Sequence, residues 1–326
     1  MSFKTVSNVI HNHPQVRQAT RDRVLAAIAE TGYRPNIVAR NLRSGRSGVI
    51  GLAVPELSQA YFAQLADDVI RAAEARGLVV LVEQTGGQRA RELDVLSSPR
   101  LALTDGILFC PLGLIGEDAR TVPVGGPLVI LGEQVLEDVD HITMQHEAAA
   151  QAAIEHLIGL GRRRIVLLGA HPSEAGGTAG LRFAGYRAAL KNSGLTLDEA
   201  LVVPIQTWDR SNGAAAMSRF LEAGHGFDAV FAMNDDLALG VLRALQEHGR
   251  RVPEDVAVIG FDDVDEGRFV FPSLSTVDPG RRQIAELAVD MLLDRIAKPS
   301  SGVAPRVVAP PFRVIAREST LGRPRP

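Results

Sequence analysis

Apolar residues follow two rhythms along this chain, and the change comes at Gly48. Ahead of it they recur at helical spacing. Val6, Val9 and Ile10 in TVSNVI stand at i, i+3 and i+4, which predicts a short helix, and the polar HNHPQV interrupts it. A second helix is expected from Thr20, a good N-cap, although Arg23 stands where a capping box carries Glu. Its stripe is Val24, Leu25, Ala27 and Ile28, and Gly32 ends it. Tyr33-Arg34-Pro35 reads as extended, because proline restricts the residue before it. Asn36 can cap a third short helix over 37–43, closed by Ser44-Gly45.

From Gly48 onward, strand-length runs of Val, Ile and Leu alternate with amphipathic stretches. Strands are predicted at GVIGLAV, LVVLVEQ, DGILFCP, PLVILGE, HITMQ, RRIVLLGA, LVVPI, DAVFAM, VAVIGF and LSTV, and PRVVAPPFRVIA closes the pattern. Helices are predicted over 62–76, 147–160, 181–193, 213–223, 237–248 and 282–297, while 87–97 reads as a polar stretch. Continuous apolar strands between helices mean buried parallel sheets. One sheet of about ten strands is unusual, so two lobes are the better arrangement. The expected fold class is α/β: two doubly wound parallel-sheet lobes with a small all-α head at the N-terminus. A length of 326 residues also suits more than one core.

Charge adds an asymmetry. The net charge is −3, yet residues 1–48 carry eight Lys/Arg against Asp22 and Glu30, which leaves +6 on the head and −9 on the rest. A basic head on an acidic body suits a polyanionic partner, with a solvated basic face as the other reading. Cys110, the one cysteine, lies in the apolar GILFCP; an intrachain disulfide is impossible and a reducing compartment fits. No run of about 18 apolar residues occurs. The start lacks the apolar core of a signal peptide, so a cytoplasmic protein is expected. Enzyme chemistry finds no footing. No GxGxxG follows the first strand, no GxxxxGK[ST], GxSxG or HExxH occurs, and no Cys/His set has metal spacing. No cofactor and no metal are expected.

SFKTVSNVI, followed by TRDRVLAAIAETGYRPNIVARNLRSGRSGVIGL, resembles the recognition helix, third helix, hinge helix and first core strand of the LacI/GalR (lactose-repressor) family. The resemblance implies that the first helix here enters a major groove with Phe3, Lys4, Ser7 and Asn8. Lys4 can donate to guanine acceptors and Asn8 can pair with adenine, while Thr5 and Ser7 suit phosphate contacts. For each polar residue, plain exposed helix surface is the alternative. The family's hinge helix corresponds to 36–43, beginning at Asn36. It implies Leu42 as an apolar wedge in a minor-groove step, flanked by Arg40, Asn41 and Arg43 along the backbone; a core leucine is the other reading. The family has one more helix ahead of this recognition helix. The expectation is therefore either a start further upstream, with Met1 at what is usually a Val position, or a shortened chain that binds ligand and holds DNA poorly.

Residues 48–320 resemble the family's periplasmic-binding-protein-like body through IGLAVPE, DGILFCP, HLIGLGRRRIVLLG, LRFAGYRAAL, AVFAMNDDLALG, VPEDVAVIGFDD, LSTVD and AREST. Such a body closes two lobes over a ligand at the strand ends. The chain is expected to cross between lobes near 146, 277 and 309. That gives a head at 1–35, a hinge and linker at 36–47, a first lobe at about 48–146 with 277–308, and a second at about 147–276 with 309–320. The resemblance implies effector contacts from Arg182, heading a helix after AGGTAG, and from Asn234 and Asp262 at strand ends, with helix capping as the alternative. Asp235 and Asp263 are expected to cap helices or hold loops. Trp208 could stack on a sugar ring or fill a lobe interface. Tyr61 and Phe62, in a loop entering a helix, could wall the cleft or be core, with Phe62 the one expected to be buried. Gly132-Glu133 replaces an Asp that the family usually carries after PLVIL. Arg281 could supply a charge suited to an acidic or phosphorylated sugar. The expected function is a homodimeric, sequence-specific regulator, a repressor, binding double-stranded operator DNA under the control of a sugar-like effector. A truncated or diverged sugar-binding protein with little DNA binding is the alternative, and no membrane partner is expected.

Overall fold

A computed structural model of the chain describes residues 3–10, 13–31, 46–97, 103–114, 126–133, 139–171, 177–298 and 304–322. They belong to two compact units, Met1–Ser47 and Gly48–Pro326. The first holds α1 (Phe3–Ile10) and α2 (Gln18–Thr31), pinned by the buried Val9 and Val24. Two expectations for this unit change. The second helix starts at Gln18, so Thr20 lies inside it and does not cap it. Leu25 is 50% exposed and Ala27 is exposed, because α1 covers only the narrow face of α2 that carries Val24. The expected hinge helix, with Asn36, Arg40, Leu42 and Arg43, lies outside the described residues.

The second unit contains two parallel sheets. The first sheet takes β1 (Val49–Val54), β2 (Val79–Gln84), β3 (Ile107–Phe109), β4 (Leu128–Leu131), β5 (Asp140–Ile142) and β11 (Val307–Val308), in the order β11-β5-β4-β3-β1-β2. Helices α3 (Ala60–Glu74) and α9 (Arg281–Ala297) cover one face of it through Leu65, Val69, Ile284, Ala288 and Leu292. The other face holds Phe109, Ile130 and the inward side of α4 (Arg89–Ser97). α4 is a helix where the sequence suggests only a polar stretch. Its buried face is Glu92, Val95 and Leu96, and a carboxylate in the middle of the stripe blurs the apolar period. Glu92 is fully buried and accepts the backbone N–H groups of Leu112, Gly113 and Leu114 at 2.8–2.9 Å, anchoring the loop after β3.

The second sheet takes β6 (Ile165–Ala170), β7 (Val202–Pro204), β8 (Ala229–Ala232) and β9 (Ala257–Ile259), in the order β7-β6-β8-β9. All are parallel and their inner strands are wholly apolar, as expected of strands covered on both faces. A single bridge, Ile259 to Ser275, leads on to β10 (Thr276–Asp278), which pairs antiparallel with β12 (Arg313–Ile315). That antiparallel pair departs from the all-parallel expectation. The chain between its two strands, α9 and β11, packs in the other lobe, so no crossover helix lies on this sheet to force parallel pairing. The helices of this lobe are α5 (His146–Gly159), α6 (Thr178–Asn192), α7 (Arg210–Glu222) and α8 (Asp235–Glu247), with α10 (Glu318–Leu321) near the end of the chain. α7 and α8 begin upstream of the first periodic apolar residue because their caps do: Asp209 accepts the N–H of Asn212, and Asn234 that of Leu237.

The chain passes between sheets after β5, after β10 and after β11. Two arginines fasten the last passage. Asp140, with no exposed surface, accepts a bidentate pair of bonds from Arg295 of α9 and two further bonds on Oδ2 from Arg306 just before β11. Burial alone would raise its carboxyl, but the arginine hydrogen bonds outweigh burial and hold it down to about 2. Asp140→Asn would remove the buried carboxylate that Arg295 and Arg306 share, leaving Arg306 its exposed partner Asp294, a loss of about 3 kcal/mol in unfolding free energy at pH 7. The carboxylate's stabilisation is complete above its ordinary value near 4 and is lost as pH falls through about 2. Thermal melts of wild type and variant should therefore converge over that window and stay apart above it; a gap that does not narrow would refute the assignment.

Candidate functional site

The C-terminal ends of the strands bring one set of polar side chains together, and Arg182 is at its centre. It lies in the second turn of α6, since that helix begins at Thr178; it does not head the helix as the sequence suggests. Gly185, one turn on, lies so close to α5 that an added Cβ would meet the Glu147 carbonyl oxygen. That approach sets the first residue of α5, His146, beside Arg182. Only 3% of Arg182 and 4% of His146 is exposed.

Every direction around this guanidinium is occupied. Nε donates to His146 Nδ1 at 3.2 Å, Nη1 donates to the Met233 carbonyl at the end of β8, and Nη2 stands 3.5 Å from Asp262 Oδ1 beyond β9. Its flat face lies 3.5 Å over the Phe261 ring and 5.7 Å from the Trp208 ring. Burial lowers the guanidinium pKa, and the charge of Asp262 pushes it back up. A desolvated cation over an aromatic face gains about 2 kcal/mol, which offsets part of that burial. Burial, and then the Arg182 charge, drive His146 well below its ordinary value, so the ring is neutral at pH 7. Its Nδ1 accepts from Arg182, which puts the ring proton on Nε2. Nε2 faces Glu133 Oε1 at 3.9 Å, beyond hydrogen-bond reach.

Glu133 comes from the other lobe, two residues after β4, and Oε1 accepts the backbone N–H of Met144 at 2.7 Å. Burial raises its carboxyl, against the pull of that N–H and of Arg182. Tyr61 approaches from α3, with its hydroxyl 3.8 Å from the Met144 sulfur. Burial and the nearby Asp262 push its phenol well above the ordinary value, so it stays a neutral donor. Asp262 sits at φ +117° and Asp263 at φ +49°, conformations that cost non-glycine residues about 1–3 kcal/mol each. The Asp262 N–H is tied to the Val277 carbonyl at 2.8 Å, and Asp263 is held by Arg317 and Arg268. Backbone strain thus aims Asp262 at Arg182.

The structure gathers Arg182, Asp262, Trp208 and Tyr61 from the expected set, and adds His146, Glu133 and Phe261. Trp208 is half-buried and its indole N–H donates to Gly169 O at 3.0 Å, which fixes the ring at the end of β6. Asn234 takes the capping role: its oxygen holds Leu237 N–H at 2.8 Å, and its amide nitrogen reaches Trp208 O at 3.5 Å. Asp235, fully buried, accepts from Val264 N–H and Thr276 Oγ1 and so ties the second interlobe segment to α8. Tyr61 and Phe62 are both within α3, not in a loop, and Tyr61 is the buried one. Helix geometry turns Tyr61 toward the sheet and Phe62 to its edge. Arg281 carries no spare charge for an acidic ligand. Its Nε pairs with Asp68 at 2.9 Å and its Nη1 donates to Gln64 at 2.6 Å, both on α3. In the head, Thr5 and Asn8 are half-buried on α1 beside the buried Val9. The side chains of Phe3, Lys4 and Ser7 lie outside the described residues.

Residues 1–36 match the family model of bacterial regulatory proteins of the lacI family, and residues 154–320 match that of the periplasmic binding protein-like domain. Among characterised proteins, the transcriptional regulator AscG of Escherichia coli K12 is 33% identical over 85% of this chain and 83% of its own. Among solved structures, a LacI-family transcriptional regulator from Sanguibacter keddieii is 63% identical, with TM-score 0.80, over 85% of this chain and all of that one. The lac repressor dimer bound to operator is 27% identical with TM-score 0.79, and a complex of the regulator CelR with cellobiose is 29% identical with TM-score 0.73. Each covers 98% of this chain and 96% of its own.

Asp262 gives the site a titration near neutrality. Burial raises its carboxyl to about 7, against the opposing pull of Arg182. Its neutral form is therefore favoured by folding. The contribution is complete below about pH 4 and is lost as pH rises through about 7. Asn tolerates positive φ, so Asp262→Asn should gain thermal stability relative to wild type between pH 5 and pH 8. A wild-type-to-variant difference flat across that range would refute this titration.

Proposed function

Because the chain belongs to the lacI family of bacterial regulatory proteins, we propose that it is a homodimeric repressor whose grip on operator DNA is governed by a sugar or sugar derivative held at the Arg182 cluster. It is a DNA-binding transcriptional regulator and not an enzyme. The observation that carries the effector reading is the guanidinium of Arg182, buried where three strand ends and the first interlobe passage meet. Around it stand acceptors on Asp262 and Glu133, a neutral donor on Tyr61, and the half-buried indole of Trp208. Hydroxyl pairs both donate and accept, and sugar rings offer an apolar face to an indole; this set answers both needs. The CelR relative was solved with cellobiose.

For DNA, the reading rests on the head. Lys4 and Asn8 read bases, Thr5 and Ser7 hold phosphate, and Phe3 flanks them. Asn36, Arg40, Leu42 and Arg43 form the hinge over the operator centre. The head is residues 1–35 and the linker 36–47, followed by the two-lobed body. Such a protein works beside the chromosome, in the cytoplasm. Among the described residues, no helix is long and apolar enough to cross a membrane.

Dimerisation is supported by apolar surface. Edge strand β2 exposes Val79 and Leu81, and Phe269 and Phe271 are 87% and 69% exposed. The two phenylalanines border a groove of about 710 Å³ against Leu239 and Leu242 of α8. Unpaired sheet edges and clustered exposed aromatics mark association surfaces. The lac repressor was solved as a dimer on operator.

Mobility shifts with the DNA upstream of the gene test the reading. Lys4→Ala/Asn8→Ala should abolish site-selective binding and leave weak, salt-sensitive binding; unchanged selectivity would overturn the base-reading assignment. Phe269→Asp/Phe271→Asp should shift the sedimentation coefficient to that of a monomer and weaken operator binding at least 10-fold. A dimer that survives it would place the interface elsewhere.

A further inference from the structure

We propose that the cleft admits an uncharged polyol and refuses phosphorylated or carboxylated ones, with Glu133 as the residue that sets the refusal. The inference rests on the effector reading above and narrows it. The arginine of the cluster and two beside the interlobe contacts are matched by carboxylates. Arg281 is matched by Asp68 at 2.9 Å and further engaged by Gln64. Arg182 is matched by Asp262 at 3.5 Å. Arg210, on α7, pairs with Asp236 at 2.7 Å and Glu266 at 3.2 Å.

Glu133 is what remains. It projects from the first lobe toward the cluster, and its Oε1 is paired directly with no cation: its hydrogen-bond partner is a backbone N–H, the imidazole it faces is neutral, and Arg182 acts on it only from beyond that ring. That imidazole lies between Glu133 and the guanidinium, so an anion drawn to Arg182 approaches Glu133 from the first lobe as well as Asp262, half-ionised near pH 7, from the second. At an effective dielectric near 20, one unit charge about 6 Å from another is disfavoured on the order of 100-fold, and a dianion more. A hydroxyl meets no such barrier. It can donate to Glu133 or Asp262 and accept from the neutral Tyr61 hydroxyl. The same arrangement explains why a buried arginine in this cleft does not make it an anion site.

The test uses the full chain. Inorganic phosphate, titrated at constant ionic strength, probes the refusal without knowledge of the effector. It should shift the Tm of wild type and Arg182→Ala equally, and that of Glu133→Gln/Asp262→Asn more than either. A phosphate shift in wild type that Arg182→Ala abolishes overturns the proposal, as does a double variant that responds like wild type. A second arm pairs neutral saccharides with their phosphorylated or uronate forms. In wild type only neutral members should shift Tm. Glu133→Gln, which keeps an acceptor for Met144, should raise affinity for the anionic partner at least 10-fold, while Glu133→Asp keeps the refusal. An anionic form that binds wild type more tightly than its neutral parent sinks the inference. If no saccharide of either charge binds, the sugar reading fails by itself, and the phosphate arm still decides whether the cleft refuses anions.

Discussion

Arg182 carries a permanent charge and is almost wholly removed from water. Burial of a guanidinium costs several kcal/mol unless each direction around it is answered. In this body the answers come from separate pieces of chain: an imidazole from the start of α5, a carbonyl from the end of β8, a carboxylate from beyond β9, and an aromatic face one residue before it. Each is held in turn. His146 is brought close by the helix contact at Gly185, and Asp262 by a strained turn tied to Val277. A site built this way is pre-formed, and a ligand that exchanges hydrogen bonds with it need not first order it.

The cluster also lies where the lobes meet. Glu133, Met144 and Tyr61 reach it from the first sheet and its helix, while Arg182, Trp208 and Asp262 reach it from the second. Nearby, Gln64 of α3 donates to Glu266 at 3.0 Å and accepts from Arg281 and from the Asp265 N–H. These contacts link the first lobe to the segment between β9 and β10. A ligand that bridges the two halves with unequal affinity for their open and closed arrangements shifts the balance between them.

Polar groups away from the cleft have a different task. Asp140 clamps α9 and β11, and Glu92 caps the loop after β3. Near the end of the chain, Ser275, Ser319 and Thr320 interlock through their hydroxyls and the Val258 carbonyl. All of these are buried polar groups with full partners. They fix where separate stretches of chain meet, which nonspecific apolar burial does not.

The alternation of apolar runs determined the two-lobed α/β architecture and the strand sequence, because a strand covered on both faces must be apolar at every position. Motif order determined the family, implied the three passages between lobes and pointed to Arg182, Asp262 and Trp208, which lie together at the strand ends. Helix starts were misplaced where caps precede the apolar stripe, as at Asp209 and Asn234, and α4 was missed because Glu92 sits in its buried face. Which charges are available was beyond the sequence. Arg281 reads as a free cation until Asp68 and Gln64 are found beside it, and position 146 reads only as a passage between lobes until α6 crosses α5. Those residues lie tens to hundreds of positions apart, and a charge is quenched or left open by what tertiary packing sets next to it, which local pattern does not encode.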